Sequence, residues 1–249
     1  MEEIGEIVKK KKKRRKKHYL LKCLIAALVI FGAYKLLTSP LFDIQRVNVE
    51  NNAYYTSEQI ISMAGVSIGE NTFRISMRDI RNNLLSDPYI MAVNTKRALP
   101  NELVIRVAER DEAAFVSDRG DCIIIDENGL VLRRTKTAPL ITELGNLNVV
   151  EAEEGRPLIA EENAALTDTL DLLKKVKNEE LYFKKVDISN IIVRAYIFDR
   201  LVCEGTPAHL SDNLSELKRR LLDLKEQGIE RGTLKVAGDR YIAWQPAAE

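Results

Sequence analysis

A run of basic residues followed directly by an apolar stretch constrains this chain more than any other feature. Positions 9–17 are all Lys or Arg, and residues 19–37 are apolar apart from Lys22 and Lys35. A helix of this length covers roughly 28 Å, close to the roughly 30 Å hydrocarbon core of a bilayer. Because Lys22 and Lys35 lie near the two ends, their ammonium groups can reach the lipid headgroups. The sequence therefore predicts a single membrane-spanning helix over residues 19–38.

The charge distribution predicts the orientation of that helix. Residues 1–22 hold ten Lys and Arg against three Glu, a net charge of +7, whereas the other 227 residues hold 28 basic and 34 acidic side chains, a net charge of −6. Cytoplasmic flanks of membrane spans carry the excess of basic residues. We therefore expect residues 1–18 to form a cytoplasmic tail and everything after about Thr38 to lie outside. A mildly acidic exterior argues against nucleic-acid binding.

The basic run has other interpretations. An isolated run of this kind can bind nucleic acid, but the adjoining apolar span argues against it. It can also attract anionic lipid, at about 1 kcal/mol per basic residue near the surface, which complements a role in orientation. A cleaved signal peptide also combines a basic and an apolar segment. The apolar run here is longer than is usual in signal peptides and no clear A-x-A site follows it, so a retained anchor is favoured.

The residues after the predicted span have the pattern of a compact α+β domain of about 70 residues. A strand over residues 44–49 is closed by an Asn51-Asn52 turn. Two short helices follow; the first begins at Thr56 or Ser57 and ends at Gly65, and the second begins at Ser76 and ends before Pro88. Two strands, residues 90–97 and 102–110, complete the unit. Its motifs are Phe42-x-Ile44-x-x-Val47-x-Val49, Thr56-x-x-x-Ile60, Gly65-x-x-x-Gly69-x-Asn71, Pro88-Tyr89-Ile90 and Arg97-x-Leu99-Pro100-x-x-Leu103-x-Ile105-x-Val107-x-Glu109-Arg110.

In their order and spacing, these motifs resemble a POTRA domain, and more narrowly the POTRA domain of the FtsQ/DivIB family of bacterial cell-division proteins. The basic tail, the single span and the immediate start of the domain also match that family. The resemblance implies a POTRA domain with the order β-α-α-β-β over residues 42–110. It also implies a second, mixed β-rich domain over residues 111–249.

The second region reads as strands interrupted by two amphipathic helices. We expect strands at 112–116 and 122–126, a turn at 126–129 leading into a strand at 130–132, a short strand at 139–142, and a group at 186–188, 191–197 and 201–204. The helices are marked by leucines at helical spacing: Leu166, Leu170 and Leu173 in the first, and Leu210, Leu214, Leu217, Leu221 and Leu224 in the second. The second repeat is short and ends at Gly228, so packing on the domain's own sheet is favoured over a coiled coil.

The last segment reads as a closing hairpin formed by residues 233–236 and 241–244. Its aromatic residues, which include the only Trp of the chain, can complete the core. A final strand at a sheet edge can instead accept a partner strand through its unpaired backbone groups. The residues alone leave both interpretations open. The resemblance to FtsQ/DivIB implies the second, because the family's partner-binding surface lies in this last strand region. On that basis we assign partner binding to Tyr241, Ile242, Ala243 and Trp244.

The sequence offers few residues for catalysis. His18 lies in the basic tail and His209 stands alone before a helix, so the exterior has no His pair for a metal ion or a proton relay. Gly-rich phosphate loops, G-x-S-x-G and a Cys paired with His are also missing from the sequence. We therefore expect no catalytic residue, metal or cofactor. Cys122 and Cys203 lie in apolar, strand-like runs, which favours two buried free thiols over a disulfide.

The resemblance implies a non-enzymatic, single-pass membrane scaffold of the division machinery at the septum. Its implied partners are FtsL-like and FtsB/DivIC-like membrane division proteins and other divisome components, with the lipid bilayer around its anchor. It would help to position and regulate septal peptidoglycan synthesis. One alternative is another POTRA protein that handles secreted or outer-membrane polypeptides, which predicts repeated POTRA units or a β-barrel. A further alternative is a membrane-tethered cell-wall hydrolase, which requires a carboxylate site in a cleft.

Overall fold

The computed structural model describes residues 17–238 and 241–247. Helix α1, Lys17–Leu37, is followed by a 3-10 turn, Pro40–Phe42. All side chains of Tyr19–Leu37 are exposed, and within the described part of the chain this is the one helix long and apolar enough to cross a membrane. The predicted basic tail lies, over residues 1–16, outside the described residues.

The first domain has the expected order of strand, two helices and two strands, which is confirmed. Its sheet has the order β1-β3-β2, with β1 parallel to β3 and β2 antiparallel to it. The two helices pack on one face, where apolar residues such as Ile60, Ile80 and Leu103 form a core. The elements are β1 Arg46–Glu50, α2 Ser57–Ala64, α3 Met77–Leu85, β2 Ile90–Ala98 and β3 Glu102–Glu109.

Local signals set the ends of the two helices. The Thr56 hydroxyl accepts a hydrogen bond from the Gln59 N–H, while the Gln59 side chain accepts one from the Thr56 N–H. The Ser76 hydroxyl accepts from the Asp79 N–H in the same way. Gly65 ends α2 at φ 68°, a left-handed conformation that costs glycine little. These short-range interactions explain why the helices could be predicted from the sequence.

The second domain is built on one sheet of nine strands. The strand order is β14-β13-β12-β11-β10-β7-β4-β5-β6, with parallel pairs β12–β13, β7–β10 and β4–β7. Two short strands, β8 and β9, form a separate hairpin. The elements are β4 Ala114–Asp118, β5 Asp121–Ile125, β6 Val131–Thr135, β7 Thr142–Gly145, β8 Val149–Glu151, β9 Ile159–Ala160, α4 Asn163–Asn178, β10 Lys185–Ile188, β11 Val193–Phe198, β12 Arg200–Gly205, α5 Pro207–Asp212, α6 Leu214–Glu226, β13 Arg231–Val236 and β14 Ile242–Pro246.

The three helices of this domain cover one face of the sheet. Their leucines pack with inward-facing strand residues in a single core, as expected for helices that serve their own domain. In the part of the chain that the structure describes, the opposite face is covered at the β4–β6 end, where Phe115, Ile124 and Leu132 pack against Tyr55 and Tyr89 of the first domain. Strands β4 and β5 are therefore buried on both faces.

The junction between the two domains is polar as well as aromatic. The rings of Tyr54 and Tyr89 are stacked, with centroids 4.1 Å apart. The Tyr89 hydroxyl donates to Glu112 Oε1 (2.6 Å), and Arg133 Nε donates both to that carboxylate (3.0 Å) and to the Tyr89 hydroxyl (2.9 Å). Burial and the bond to Glu112 raise the pKa of Tyr89, and burial and a bond to Asp87 raise the pKa of Tyr55. The tyrosines are therefore held in the neutral form.

Two elements differ from expectation. The second leucine-rich segment is divided at Asn213, which lies between α5 and α6. The Asn213 side-chain amide donates to the His209 carbonyl (2.8 Å) and to the carbonyl of Gly238 (3.2 Å), which follows β13. The strand expected at 139–142 instead begins at Thr142, whose hydroxyl donates to the Phe183 carbonyl (2.8 Å), while Leu140 is fully exposed.

The two cysteines outside α1 are buried free thiols, as the sequence favoured. Cys122 lies in β5 and Cys203 in β12. These strands are far apart in the sheet order. Burial raises the pKa of Cys203 to about 12, so this thiol stays protonated near neutral pH.

Candidate functional site

Strand β14 lies at one end of the nine-stranded sheet. It pairs antiparallel with β13 from Val236↔Ile242 to Gly232↔Pro246. Ile242, Ala243 and Trp244 lie within the strand, and Tyr241 immediately precedes it with an exposed side chain. Asp239 and Arg240 lie outside the described residues. The structure therefore brings the four sequence-predicted residues together at a sheet edge.

The register identifies which backbone groups of β14 face away from the sheet. The Ala237 N–H donates to the Tyr241 carbonyl (3.0 Å). In an antiparallel pair, residues alternate between exchanging hydrogen bonds with the partner strand and directing their backbone groups outward. Ala243 and Gln245 are therefore directed at β13, whereas Ile242 and Trp244 present their N–H and C=O groups at the outer edge. Pro246 falls in the same outward series, where its lack of an N–H costs no bond to β13.

The side chains of the same two residues complete the domain core. Ile242 and Trp244 are half-buried and pack against the cluster under the helices. Gly232, opposite Pro246, has φ 136°, and a Cβ at this position would overlap the Trp244 indole. The core and edge-strand interpretations are thus both satisfied, because the side chains face the core while the backbone faces outward.

A groove of about 880 Å³ adjoins β14. Trp244 and Pro246 form one wall, and the β11–β12 turn with Phe198 forms part of the other. Phe198, the last residue of β11, is 43% exposed. The groove therefore offers apolar side chains together with charged ones, next to β14.

Charged groups form part of the lining of the groove. Lys184 Nζ forms an ion pair with Asp199 at the rim, and Arg231 and Glu230 also line the groove. The hydrogen bond from Lys184 lowers the pKa of Asp199, and the same bond raises the pKa of Lys184. Both groups are therefore charged at neutral pH, and a ligand in the groove would meet charges of both signs.

Sequence reasoning missed the groove. Phe198 ends β11 and Ile229 lies between α6 and β13, and the sheet order brings both onto the groove that Trp244 also lines. The lining residues come from segments distant in the chain, so local sequence patterns do not reveal the groove.

The structure offers no grouping suited to metal chemistry in residues 17–238 and 241–247. No cluster of three or more His, Cys, Asp or Glu in this part of the chain has the arrangement of a metal site. His209 lies in α5, where its N–H donates to the Thr206 hydroxyl as part of a helix start. The site at β14 is consequently one of backbone donors and acceptors and apolar side chains, which is suited to binding a polypeptide.

Comparison with known proteins gives a consistent result. Residues 42–110 match the model of the FtsQ-type POTRA domain. The chain is 30% identical over 197 residues to the cell division protein DivIB of Clostridium acetobutylicum, covering 75% of this chain and 78% of that protein. It is 27% identical to DivIB of Clostridium tetani, covering 80% and 77% of the two chains, and 27% identical to the cell division protein FtsQ of Syntrophotalea carbinolica, covering 59% and 54%. The solved extracytoplasmic domain of DivIB from Geobacillus stearothermophilus is 22% identical, with a TM-score of 0.33 over 48% of this chain and 97% of that one.

An apolar N-terminal helix, an FtsQ-type POTRA domain and a β-rich region together indicate a cell division protein. The chain belongs to the DivIB/FtsQ family of cell division proteins. The similarity extends well beyond the POTRA segment, covering about three quarters of the chain. The resemblance inferred from the sequence motifs is thereby confirmed, and it favours division over the other roles of POTRA proteins.

Proposed function

We propose that this protein is a non-enzymatic, single-pass membrane scaffold of the division machinery, acting at the septum. In this proposal residues 1–18 are cytoplasmic, residues 19–38 cross the membrane, and the POTRA domain (42–110) and the β domain (111–249) lie outside. The observation that carries the proposal is the outer edge of β14, which pairs with no described strand and lies beside a groove of apolar and charged side chains, in a chain of the DivIB/FtsQ family.

The proposed partners are FtsL-like and FtsB/DivIC-like division proteins. An extended segment of one of them would add to the sheet as a strand beside β14, pairing with the outward backbone groups of Ile242 and Trp244. Trp244 would contact an apolar side chain of the segment, while Tyr241 and Ala243 lie on the sheet face that the helices leave open. This arrangement supports binding of an extended peptide rather than of a small molecule.

The membrane anchor would contribute to assembly without further contacts. Two proteins anchored in the same membrane are confined to a plane, which raises their effective concentration for one another. A modest strand-addition surface then suffices to hold partners together. Through such an assembly the protein would help to position and regulate septal peptidoglycan synthesis.

Strand addition can be tested by replacing Ile242. Ile242→Pro removes an outward N–H while leaving the bonds between β13 and β14 intact, so we expect binding of a DivIC-type partner to weaken about tenfold or more. Ile242→Val keeps the N–H and should bind normally. Arg134→Pro removes a backbone donor at the other end of the sheet and should also bind normally. Affinity is measured by co-purification and titration of the full-length proteins in detergent. Normal binding by Ile242→Pro contradicts strand addition at β14.

Localisation tests the division role independently. An N-terminal fluorescent fusion of the full chain is expected to form a band at mid-cell with constriction. Truncation after Gly238 removes β14 and should reduce recruitment of the partner while the anchor remains in the membrane. Uniform labelling of the envelope throughout the cell cycle would contradict a septal role.

A further inference from the structure

The end of α1 is tied directly to the POTRA domain. Two residues separate the helix from the 3-10 turn Pro40–Phe42. The side-chain amide of Asn71 donates to the carbonyls of Leu37 (3.0 Å) and Ser39 (3.4 Å), and Asn71 is only 7% exposed. The place where the chain leaves the helix is therefore fixed against the loop before α3.

The register of the POTRA sheet shows which of its ends lies at this place. Arg46, which opens β1, is opposite Glu102, which opens β3, and Glu102 is also opposite Ala98, the last residue of β2. This end follows directly from the helix and the 3-10 turn. The other end, at Ile90 and Glu109, leads to the β domain.

Two exposed apolar side chains lie immediately beside the helix end. Leu41, in the 3-10 turn, is 56% exposed. Phe73 is 40% exposed, its ring centroid is 5.1 Å from that of Phe42, and its N–H donates to the Asn71 side chain. Both side chains are thus held within a residue or two of the groups that bind the helix end.

Two further exposed apolar residues extend the same surface. Ile68 is 72% exposed and precedes Gly69, whose N–H donates to the Ile44 carbonyl (2.8 Å). Leu99 is 59% exposed in the turn between β2 and β3, where the Asn101 carbonyl accepts from the Gln45 N–H (2.9 Å). The four residues Leu41, Ile68, Phe73 and Leu99, called here the membrane-facing patch, therefore lie in segments held together by hydrogen bonds to residues 37–45, at the start of the domain.

We propose that the membrane-facing patch rests in the headgroup and acyl boundary of the outer side of the membrane and holds the POTRA domain upright. The occupant follows from continuity, because the patch lies in the segments that are hydrogen-bonded next to the point where the apolar helix joins the domain. Asp43, Glu70 and Arg74 lie in the neighbouring cavity, so both signs of charge are present and recognition would rest on apolar contact rather than on headgroup charge. The inference rests on the proposed membrane anchor.

Site-directed spin labelling of the full chain in phosphatidylcholine nanodiscs tests the patch. Cys23→Ala removes the exposed thiol, while Cys122 and Cys203 are buried. Nitroxides are then placed singly at positions 41, 68 and 73, with position 28 in α1 as the membrane reference. Position 91 is the matched control, since Met91 is 51% exposed at the far end of β2, roughly 23 Å from Ala98 at about 3.3 Å per residue.

Accessibility to oxygen relative to a water-soluble nickel reagent reports the depth of each label. We expect positions 41 and 73 to shift toward position 28, position 68 to shift less, and position 91 to remain aqueous, with no change when anionic lipid is added. If position 28 is protected from the nickel reagent but positions 41, 68 and 73 behave like 91, the patch proposal is overturned and the anchor stands. If position 28 is itself aqueous, the anchor proposal fails and the patch proposal fails with it. Protection that appears only with anionic lipid would overturn the apolar mode of contact.

Discussion

The two ends of the nine-stranded sheet differ in how completely they are covered. At the β6 end, helices cover one face and the tyrosines of the POTRA domain cover the other. At the β14 end, helices cover one face, and the sheet order places no described strand beyond β14. One end of the sheet is therefore enclosed within the protein, whereas the other is available to a partner.

The strand edges themselves show the same contrast. The outer edge of β6 is blocked by the loop that joins β8 to β9: Val131 donates its N–H to the Arg156 carbonyl (2.9 Å), and the Gly155 N–H donates to the Val131 carbonyl (2.8 Å). Arg134 further donates its N–H to Glu154 (3.2 Å). Covering of this kind is how proteins prevent unwanted strand addition. Within the nine-stranded sheet, the edge at β6 is therefore covered, whereas the edge at β14 pairs with no described strand.

The largest effect is expected at the enclosed end, from Asp126→Ala. The Asp126 carboxylate is 2% exposed and accepts hydrogen bonds from the N–H groups of Asn128 and Leu130 and from Arg110 Nη1, each at 2.8 Å. Its loss leaves buried donors unpaired, so the free energy of unfolding should fall by about 3 kcal/mol. Urea unfolding monitored by Trp244 fluorescence measures this loss.

The control for this variant is Asp118→Ala, since Asp118 has only a long ion pair (3.8 Å) with the exposed Arg119. We expect a loss of about 0.5 kcal/mol or less. Partner binding by Asp126→Ala should persist under conditions where the chain remains folded. Loss of binding without unfolding would break the proposed separation between the two ends.

A smaller loss is expected at the open end, from Gly232→Ala. The added Cβ would overlap the Trp244 indole, and the alanine backbone would have to keep φ 136°. We therefore expect the free energy of unfolding to fall by about 2 kcal/mol and the Trp244 emission to shift. Gly120→Ala is the matched control, because Gly120 has φ 91° but no heavy atom within 4 Å of an added Cβ. Equal effects of the two variants would indicate that backbone strain alone matters and that Trp244 does not hold β14 in place.

Alkaline pH should act selectively on the enclosed end. The folded-state pKa values of Tyr55 and Tyr89 are raised, so the neutral tyrosines stabilise the folded state fully below the unfolded tyrosine pKa of about 10. This stabilisation is lost as pH rises above that value. Between pH 9.5 and pH 10.5 the free energy of unfolding should fall by about 1 kcal/mol for the two tyrosines together. Urea unfolding at the two pH values should show this slope in the wild type and a flatter one in a Tyr55→Phe/Tyr89→Phe variant.

A destabilised control separates the pH effect from stability in general. Leu130→Ala weakens the same cluster while keeping both tyrosines. It should retain the wild-type pH slope at lower overall stability. A flattened slope in Leu130→Ala would show that the pH dependence does not come from the tyrosines.

The parts of this comparison that could be predicted from sequence are those that local signals determine. The uninterrupted apolar run 122–125 predicted a strand with a buried Cys122, which the structure shows. Helix capping at Thr56 and Ser76 is likewise local. The edge position of residues 241–244 was predicted from their place in the last expected hairpin and from the family resemblance.

Other features depend on contacts between distant segments and could not be predicted. The division of the leucine-rich segment at Asn213 depends on the Gly238 carbonyl, which is 25 residues away. The tyrosine junction brings residues 54 and 89 onto strands that follow later in the chain. Only the sheet order places Phe198 beside Trp244. In each case the sequence contains the residues but not their proximity.

The smallest expected effect concerns the cover over β6. Glu154→Ala removes the acceptor of the Arg134 N–H, so the amide of Arg134 should exchange with solvent faster while the free energy of unfolding changes by about 0.5 kcal/mol or less. Glu153→Ala is the matched control, because Glu153 pairs only with the exposed Arg156 at the surface. Hydrogen exchange resolved to single amides measures the difference. The bonds between Val131 and the loop remain in the variant, so no new strand should add at β6. Self-association of Glu154→Ala would show instead that the single bond from Arg134 to Glu154 keeps this edge closed. The difference between the two ends of the sheet would then depend on one side chain and not on the β8–β9 loop as a whole.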